Sequence, residues 1–131
     1  MAGVTAQGQL LVQIRTRTWT GAGVVGFRHY LLGQLAGQLL IIWDGILIHR
    51  DKAVQAFLAG EGAARLHVER LPSYAPDLNP VEGIWHQLKQ VELANINCHD
   101  RAELRQQLHL AVARLRHKPD VIRGCVRQCG Y

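Results

Sequence analysis

An unbroken apolar run that ends in a carboxylate constrains the fold of this chain more than any other feature of its sequence. Residues 39–43 read LLIIW, and Asp44 follows them directly. A short continuous run of this kind is typical of a strand that is buried on both faces. Such strands occur mainly in sheets that helices cover, so the run predicts an α/β domain.

The rest of the chain alternates between strand and helix signals. Two short apolar runs flank Gln7 and Gly8, which predicts a β-hairpin within residues 1–17. Helical spacing of apolar residues predicts a helix over 24–35; a helix from about 51 to 58 and a strand over 65–71 follow. The predicted order is two strands, a helix, a strand, a helix, a strand and three helices. We expect one domain of 131 residues with a mixed sheet.

A clearly marked helix start follows the loop PSYAPDL. Asn79 is a favourable N-cap, Pro80 suits the first helical position, and Glu82 falls at the third. Asp100 and Glu103 form a second such start, which predicts C-terminal helices from about residue 100, the last of them from about 119 to 128. The apolar stripes predicted for the first two helices comprise Val81, Ile84, Trp85, Leu88 and Val91 in one, and Leu104, Leu108, Ala111, Val112 and Leu115 in the other.

The charge of the chain favours a polyanionic partner, although a solvated basic surface explains it equally well. The net charge is +5 and the pI is about 9.6. No acidic residue precedes Asp44, and residues 101–131 are rich in arginine. Arginine and lysine contact the phosphates of DNA without regard to base sequence.

Nothing in the sequence predicts a membrane protein or an exported one. There is no apolar run of about eighteen residues and no N-terminal signal sequence. The three cysteines form no disulfide framework, which fits a reducing cytoplasm. Cys125 and Cys129 lie four residues apart on one predicted helix, and we interpret them as free or buried thiols rather than metal ligands.

Two carboxylates are candidates for chemistry, and each has a structural alternative. Asp44 ends an apolar strand, where an ionised group is costly and where ligands of α/β sheets bind. Asp44 could equally cap the turn into the next helix, helped by Gly45. For Glu82 the structural alternative is a capping box with Asn79 and no catalytic role. It could also hold a metal against phosphate, because its helix face carries basic residues.

Four basic residues are candidates for DNA contacts. His49 and Arg50 follow the strand-end aspartate closely, and His86 and Lys89 lie one and two turns beyond Glu82. A lone histidine such as His49 is more often a structural hydrogen-bonding residue. No glycine-rich phosphate loop, HExxH or GxSxG pattern is present, and the single serine argues against a serine hydrolase.

Two segments of the chain carry a long and specific pattern. LLIIWDGILIHRDKAV is followed by LHVERLPSYAPDLNPVEGIWHQLK, which contains LPxYxPxLNPxExxW. Together they resemble the DDE transposases of bacterial insertion sequences, in the branch related to the mariner-like elements. The similarity extends over essentially the whole chain.

The resemblance implies an RNase H-like mixed sheet flanked by helices, with three acidic residues in the active site. Asp44 matches the acid that ends the fourth strand, and Glu82 matches the acid on the helix after the fifth. Gly45 stands where the family most often has asparagine. The family's first acid lies on a central strand ahead of the hairpin, and no residue before Asp44 can fill that role. The resemblance therefore implies an N-terminally truncated chain without the first central strand.

The resemblance also implies two-metal phosphoryl chemistry, in which carboxylates hold two Mg²⁺ or Mn²⁺ ions for DNA cleavage and strand transfer. With Asp44 and Glu82 alone, we expect weak metal binding and no activity by this chain on its own. The implied partners are DNA and a second copy or a full-length transposase, with no small-molecule cofactor. We expect the protein in the bacterial cytoplasm, on the nucleoid when it is bound to DNA.

Two other hypotheses stay open at this point. The chain could be a non-catalytic DNA-binding or oligomerisation module that modulates a full-length transposase, or a nuclease that uses Asp51 or Asp77 instead. Without the first central strand, we expect residues 1–6 to pair directly with residues 39–44 in a four-stranded sheet. We further expect Asp44 and Glu82 to lie close together at the carboxyl edge of that sheet.

Overall fold

The order of strands and helices agrees with the prediction, and the fold is mixed α/β. The structure is a computed structural model that describes residues 1–131. Its strands are β1 (Ala2–Val4), β2 (Leu10–Val12), β3 (Leu39–Trp43) and β4 (Leu66–Arg70). Its α-helices are α1 (Gly21–Gln34), α2 (Lys52–Ala59), α3 (Pro80–Gln87), α4 (Arg101–Arg116) and α5 (Pro119–Gln128). Short 3₁₀ turns cover Leu47–Arg50 and Pro76–Leu78, and a π-turn covers Leu88–Glu92. None of the helices has the length and apolar character needed to cross a membrane.

The chain divides into two compact units. The terminal unit comprises Met1–Ile14 and Pro76–Tyr131, and the central unit comprises Arg15–Ala75. In the terminal unit β1 and β2 form the predicted antiparallel hairpin, whose turn contains Gly8 at a φ of 87°. The buried core of this unit consists of Leu10, Ile84, Leu88, Ala111, Val112, Leu115 and Ile122.

The helix starts predicted from capping residues are confirmed. The Asn79 side chain accepts a hydrogen bond from the Val81 N–H at 3.2 Å. Asp100 Oδ1 accepts from the Glu103 N–H at 2.8 Å, and Glu103 Oε2 accepts in turn from the His99 N–H at 2.8 Å. These side chains satisfy N–H groups that the first turn of a helix leaves without partners.

The apolar stripe predicted along α3 and its continuation is wrong at its last position. Leu88 is buried, but Val91 is exposed and Glu92 is buried instead. The cause is the π-turn, in which the Leu93 N–H donates to the carbonyl of Leu88 five residues earlier, at 2.9 Å. A π-turn is wider than an α-turn, so it rotates position 91 away from the core.

The apolar stripe predicted along α4 is buried only in its C-terminal half. Ala111, Val112 and Leu115 are buried, and Leu108 packs partly against the core. Leu104, in the first turn, is half exposed. The N-terminal turns of α4 therefore present their apolar side without a covering element.

In the central unit, β3 and β4 form a parallel pair connected through α2. The register runs from Leu39 opposite Leu66 to Trp43 opposite Arg70. The side chain of Thr20 caps α1, and that of Asp51 caps α2. The buried residues of this unit include Val24, Phe27, Leu31, Val54 and Phe57.

Two expectations about β3 are wrong. The strand is not buried on both faces, because Leu40 and Ile42 are exposed while their neighbours in the strand are half buried. The four-stranded sheet does not form either: β1 pairs with β2, and β3 pairs with β4, in two separate two-stranded sheets. Each strand pairs only with the partner that its own compact unit supplies, β1 with β2 through the short hairpin and β3 with β4 through the crossover that contains α2.

Candidate active site

Asp44 lies at the carboxyl end of β3, and one of its two oxygens is already engaged. Its Oδ1 lies 3.2 Å from Nε2 of His49 and accepts a long hydrogen bond from the Ile46 N–H at 3.4 Å. The second oxygen, Oδ2, makes no hydrogen bond, and the side chain is 38% exposed. The turn-capping alternative is therefore realised only weakly, and it leaves Oδ2 able to bind a ligand.

The His49 side chain is largely buried and lies between contacts with Asp44 and Trp43. Its ring stacks on the indole of Trp43, with 4.3 Å between ring centroids and 14° between ring planes, and its side chain is 15% exposed. Burial and then the positive charge of Arg28 lower the pKa of His49, although Asp44 acts in the opposite direction. A neutral ring with its hydrogen on Nε2 can donate a hydrogen bond to Oδ1 of Asp44.

Arg28, which was not a candidate from the sequence, contacts the same tryptophan as His49. It is 3% exposed, and its guanidinium carbon lies 4.3 Å from the centroid of a Trp43 ring. Burial lowers the pKa of Arg28 to about 10, so that it stays a cation at pH 7. Its Nε and Nη1 atoms are buried without a hydrogen-bond partner, and so is Nδ1 of His49. The sequence did carry a signal for it, since Arg28 falls on the apolar face of α1 next to Phe27.

Arg70, also missed from the sequence, contacts the loop that follows Asp44. This arginine ends β4, and its Nη2 donates to the carbonyl oxygen of Gly45 at 3.1 Å. A Cβ atom at position 45 would lie 2.9 Å from that nitrogen, so a larger residue there requires Arg70 to move. The carboxyl ends of both strands thus contribute to the surroundings of Asp44.

Glu82, in the terminal unit, is free of the structural role that a capping box would give it. In a capping box its carboxylate would accept from the N–H of Asn79, but that N–H donates to the carbonyl of Pro76 at 2.9 Å. The Glu82 side chain is exposed and makes no hydrogen bond or ion pair. It lies in the first turn of α3, where the helix dipole favours a negative charge.

Three of the four candidate DNA-contact residues are on the surface. Arg50, His86 and Lys89 are exposed, the last two on the same helical segment as Glu82. His49 leaves little of its ring available for DNA. Its contact with DNA stays a prediction, as do those of the other three.

Neither unit gathers the ligands of a metal centre by itself. Nowhere do three or more His, Cys, Asp or Glu side chains come together in a position to hold a metal ion. Asp44 belongs to the central unit and Glu82 to the terminal unit. The expected proximity of the two carboxylates stays a prediction.

One family of known proteins matches the part of the chain that contains both acids. The sequence profile of the DDE superfamily endonucleases matches residues 1–105, which include Asp44 and Glu82. No curated protein and no solved structure matches the chain. Most of α4 and all of α5 lie beyond the matched residues.

Proposed function

The chain belongs to the DDE superfamily endonucleases, and from that premise we propose that it is part of a transposase of a bacterial insertion sequence, in the branch related to the mariner-like elements. The proposed reaction is cleavage of DNA phosphodiesters at the ends of the element, followed by strand transfer to target DNA. The observation that carries the proposal is the state of the two matched acids. Asp44 keeps one carboxylate oxygen free at a strand end, and Glu82 is exposed without a structural partner.

Asp44 and Glu82 are the proposed catalytic residues and metal ligands. Members of this family use divalent metals, and carboxylate oxygens are the ligands that Mg²⁺ and Mn²⁺ prefer. The chain supplies only two of the three acids that the resemblance implies, so we expect it to bind metal weakly on its own. No acid occurs among residues 1–43, so the third carboxylate is not among them.

We assign the third carboxylate to a polypeptide segment outside these 131 residues. In the RNase H-like arrangement that we propose for the complete domain, that segment forms a central strand. Strand β3 has one strand neighbour, β4, so its other edge can accept a further strand. A strand added there would place its own acid beside the carboxyl end of β3.

The decisive experiment supplies that segment. The chain alone is expected neither to nick nor to join DNA in Mg²⁺, whereas a preparation that includes the acid-bearing strand is expected to do both. Asp44→Asn and Glu82→Gln should each abolish the restored activity, and Glu61→Gln, an exposed glutamate in the central unit, should not. Robust nicking by the 131-residue chain alone, lost on Asp44→Asn, would show that a different acid completes the site.

A distance provides an independent test. Two ions of a two-metal centre lie about 3.5–4 Å apart, so carboxyl groups that share them lie within roughly 10 Å of each other. A solved structure of the complete domain should place the Asp44 and Glu82 carboxyl groups within that distance. A larger separation would remove Glu82 or Asp44 from the proposed site.

The distribution of charge favours a second candidate, a non-catalytic DNA-binding or oligomerisation module. Residues 1–100 carry eight Lys and Arg and eight Asp and Glu, whereas residues 101–131 carry seven and two. The whole net charge of +5 therefore lies in the C-terminal helices. This candidate is favoured if the acid-bearing strand restores no activity, while the chain alone binds DNA and changes the activity of a full-length transposase.

A further inference from the structure

Tyr74 is displayed to solvent in a backbone conformation that disfavours a bulky side chain. The residue lies in the loop PSYAPDL, is 103% exposed and makes no hydrogen bond or ring contact. Its φ of 58° falls in the left-handed region, which is costly for a residue with a Cβ atom. Neither the ring nor this conformation stabilises the fold, and strained residues of this kind cluster at functional sites. A role in binding accounts for both features.

Tyr74 follows the edge of the sheet that carries Asp44. The Leu71 N–H donates to the Trp43 carbonyl at 2.8 Å, so the residue after β4 lies beside the end of β3. Tyr74 is three residues further along the chain, which keeps its Cα atom within about 11 Å of that of Leu71. Neighbouring strands are about 5 Å apart, so the Cα atoms of Tyr74 and Trp43 lie within about 16 Å of each other. Because phosphates of one DNA strand recur about every 3.4 Å, a base at Tyr74 lies within about six nucleotides of a phosphate at Asp44.

The side chains around this edge suit a nucleic acid. Ile46 and Leu47, in the loop after β3, are exposed, and Arg50 follows them on the surface. Arg70, at the end of β4, is also exposed, and neither arginine forms an ion pair. Proteins that bind single-stranded DNA combine such cations, which contact phosphates, with aromatic rings on which the bases stack.

We propose that Tyr74 stacks on an unpaired base of the DNA strand whose phosphate Asp44 serves, and that it thereby positions that strand. At full exposure both faces of the ring are open to a base. Stacking accepts any base, because every base has a π-face, so the site takes unpaired DNA without regard to sequence. The location near the reacting phosphate rests on the proposed function, whereas the stacking of Tyr74 on a base does not.

The test compares two probes that share their phosphates and differ in their bases. One is an oligothymidylate of about 15 nucleotides, and the other has the same backbone with every site abasic. The full chain is expected to bind the thymidylate about tenfold more tightly, which is within the effect of one stacked base. Tyr74→Leu should lose most of this preference, and Tyr74→Phe should keep it. The slope of log affinity against log salt should be the same in Tyr74→Leu and the wild type, because the phosphate contacts are unchanged.

A second tyrosine provides the matched control. Tyr131 is also exposed and belongs to the terminal unit, so Tyr131→Leu should leave the preference for bases unchanged. Photocrosslinking gives an independent measurement on the wild-type chain. An oligothymidylate that contains 5-iodouracil should form its crosslink at Tyr74, as identified by mass spectrometry of the digested product.

Several results would overturn the proposal. One is equal or absent binding of the two probes by the wild-type chain, and another is a folded Tyr74→Leu chain that keeps the preference for bases. If that preference persists while Tyr74→Leu abolishes self-association in sedimentation, the ring belongs to a contact between copies of the chain instead. None of these measurements involves metal or cleavage. A failure here is therefore distinguishable from a failure of the transposase assignment.

Discussion

The Glu92 carboxylate connects the π-turn to α4 and to the residues that directly follow α4. We expect the substitution Glu92→Gln to destabilise the terminal unit. The Glu92 side chain is 4% exposed, with Oε2 accepting from Arg114 Nε at 2.9 Å and Oε1 from Lys118 Nζ at 2.6 Å. Arg114 Nη2 also donates to the Glu92 backbone carbonyl at 2.8 Å. That bond survives the substitution, since it does not involve the side chain.

The size of the effect follows from which groups lose their partners. A hydrogen bond to a charged group contributes about 1.5–3 kcal/mol, and two such bonds end on this carboxylate. Glutamine keeps one acceptor, and the two cations are 46% and 45% exposed, so water can replace part of the loss. We therefore expect Glu92→Gln to lower the free energy of unfolding by about 2 kcal/mol at pH 7.

The pH dependence of this difference identifies its origin. Hydrogen bonds from Lys118 and Arg114 lower the pKa of Glu92 in the folded protein. The stability that ionised Glu92 provides is therefore fully present above the unfolded value of about 4.3. It is lost as the pH falls from there through the lowered folded pKa. The gap between wild type and Glu92→Gln should shrink over that interval.

Hydrogen exchange at the α4 amides measures the effect where it arises, with urea unfolding as a global check. Glu61→Gln is the matched control: Glu61 is exposed and lies 3.4 Å from His29, so its loss should cost less than about 1 kcal/mol. Protection of α4 that is unaffected by Glu92→Gln at pH 7 would refute the reasoning. A loss that persists undiminished in acid would refute its electrostatic part.

Two further predictions concern the surface charge and the start of α1. Replacing Arg101 and Arg105 by glutamine should reduce the slope of log affinity for duplex DNA against log salt by up to about 2, while Arg17→Gln should leave the slope unchanged. Equal slopes in titrations at several salt concentrations would exclude Arg101 and Arg105 as phosphate contacts. Gly21→Ala should destabilise the central unit by about 1–3 kcal/mol, because a Cβ atom there meets the Asp51 carboxylate that caps α2. In urea unfolding this penalty should nearly disappear in an Asp51→Ala background, and a penalty that persists would place the strain elsewhere.

The features predicted correctly from the sequence are those that local chemistry determines. Asn79 and Asp100 cap helices because the groups they satisfy lie two or three residues away, and the hairpin around Gly8 closes between adjacent segments. Asp44 and Glu82 became candidates because a strand end and a helix start are local signals as well, and their catalytic role stays a prediction. The order of elements follows from the same short-range periodicities.

The features that were missed depend on partners far away in the sequence. The run LLIIW predicts a strand, but it does not determine whether a second layer covers Leu40 and Ile42. The position of Arg28 on the apolar face of α1 indicates that it is buried, but not that its guanidinium lies against Trp43, fifteen residues later in the chain. Glu92 is buried because a π-turn shifts its helical phase, and no residue within that turn indicates such a shift.

The π-turn makes this corner of the protein depend less on the length of the chain than on the carboxylate that it buries. A π-turn is an α-helix that has accommodated one additional residue. Removing Gln90 or Val91 would restore α-helical bonding and would place Glu92 three residues after Leu88, on the face of the helix that Leu88 buries. The carboxylate would then still face Arg114 and Lys118. We therefore expect natural variants to tolerate the loss of one residue from this turn, whereas a substitution of Glu92 should not be tolerated.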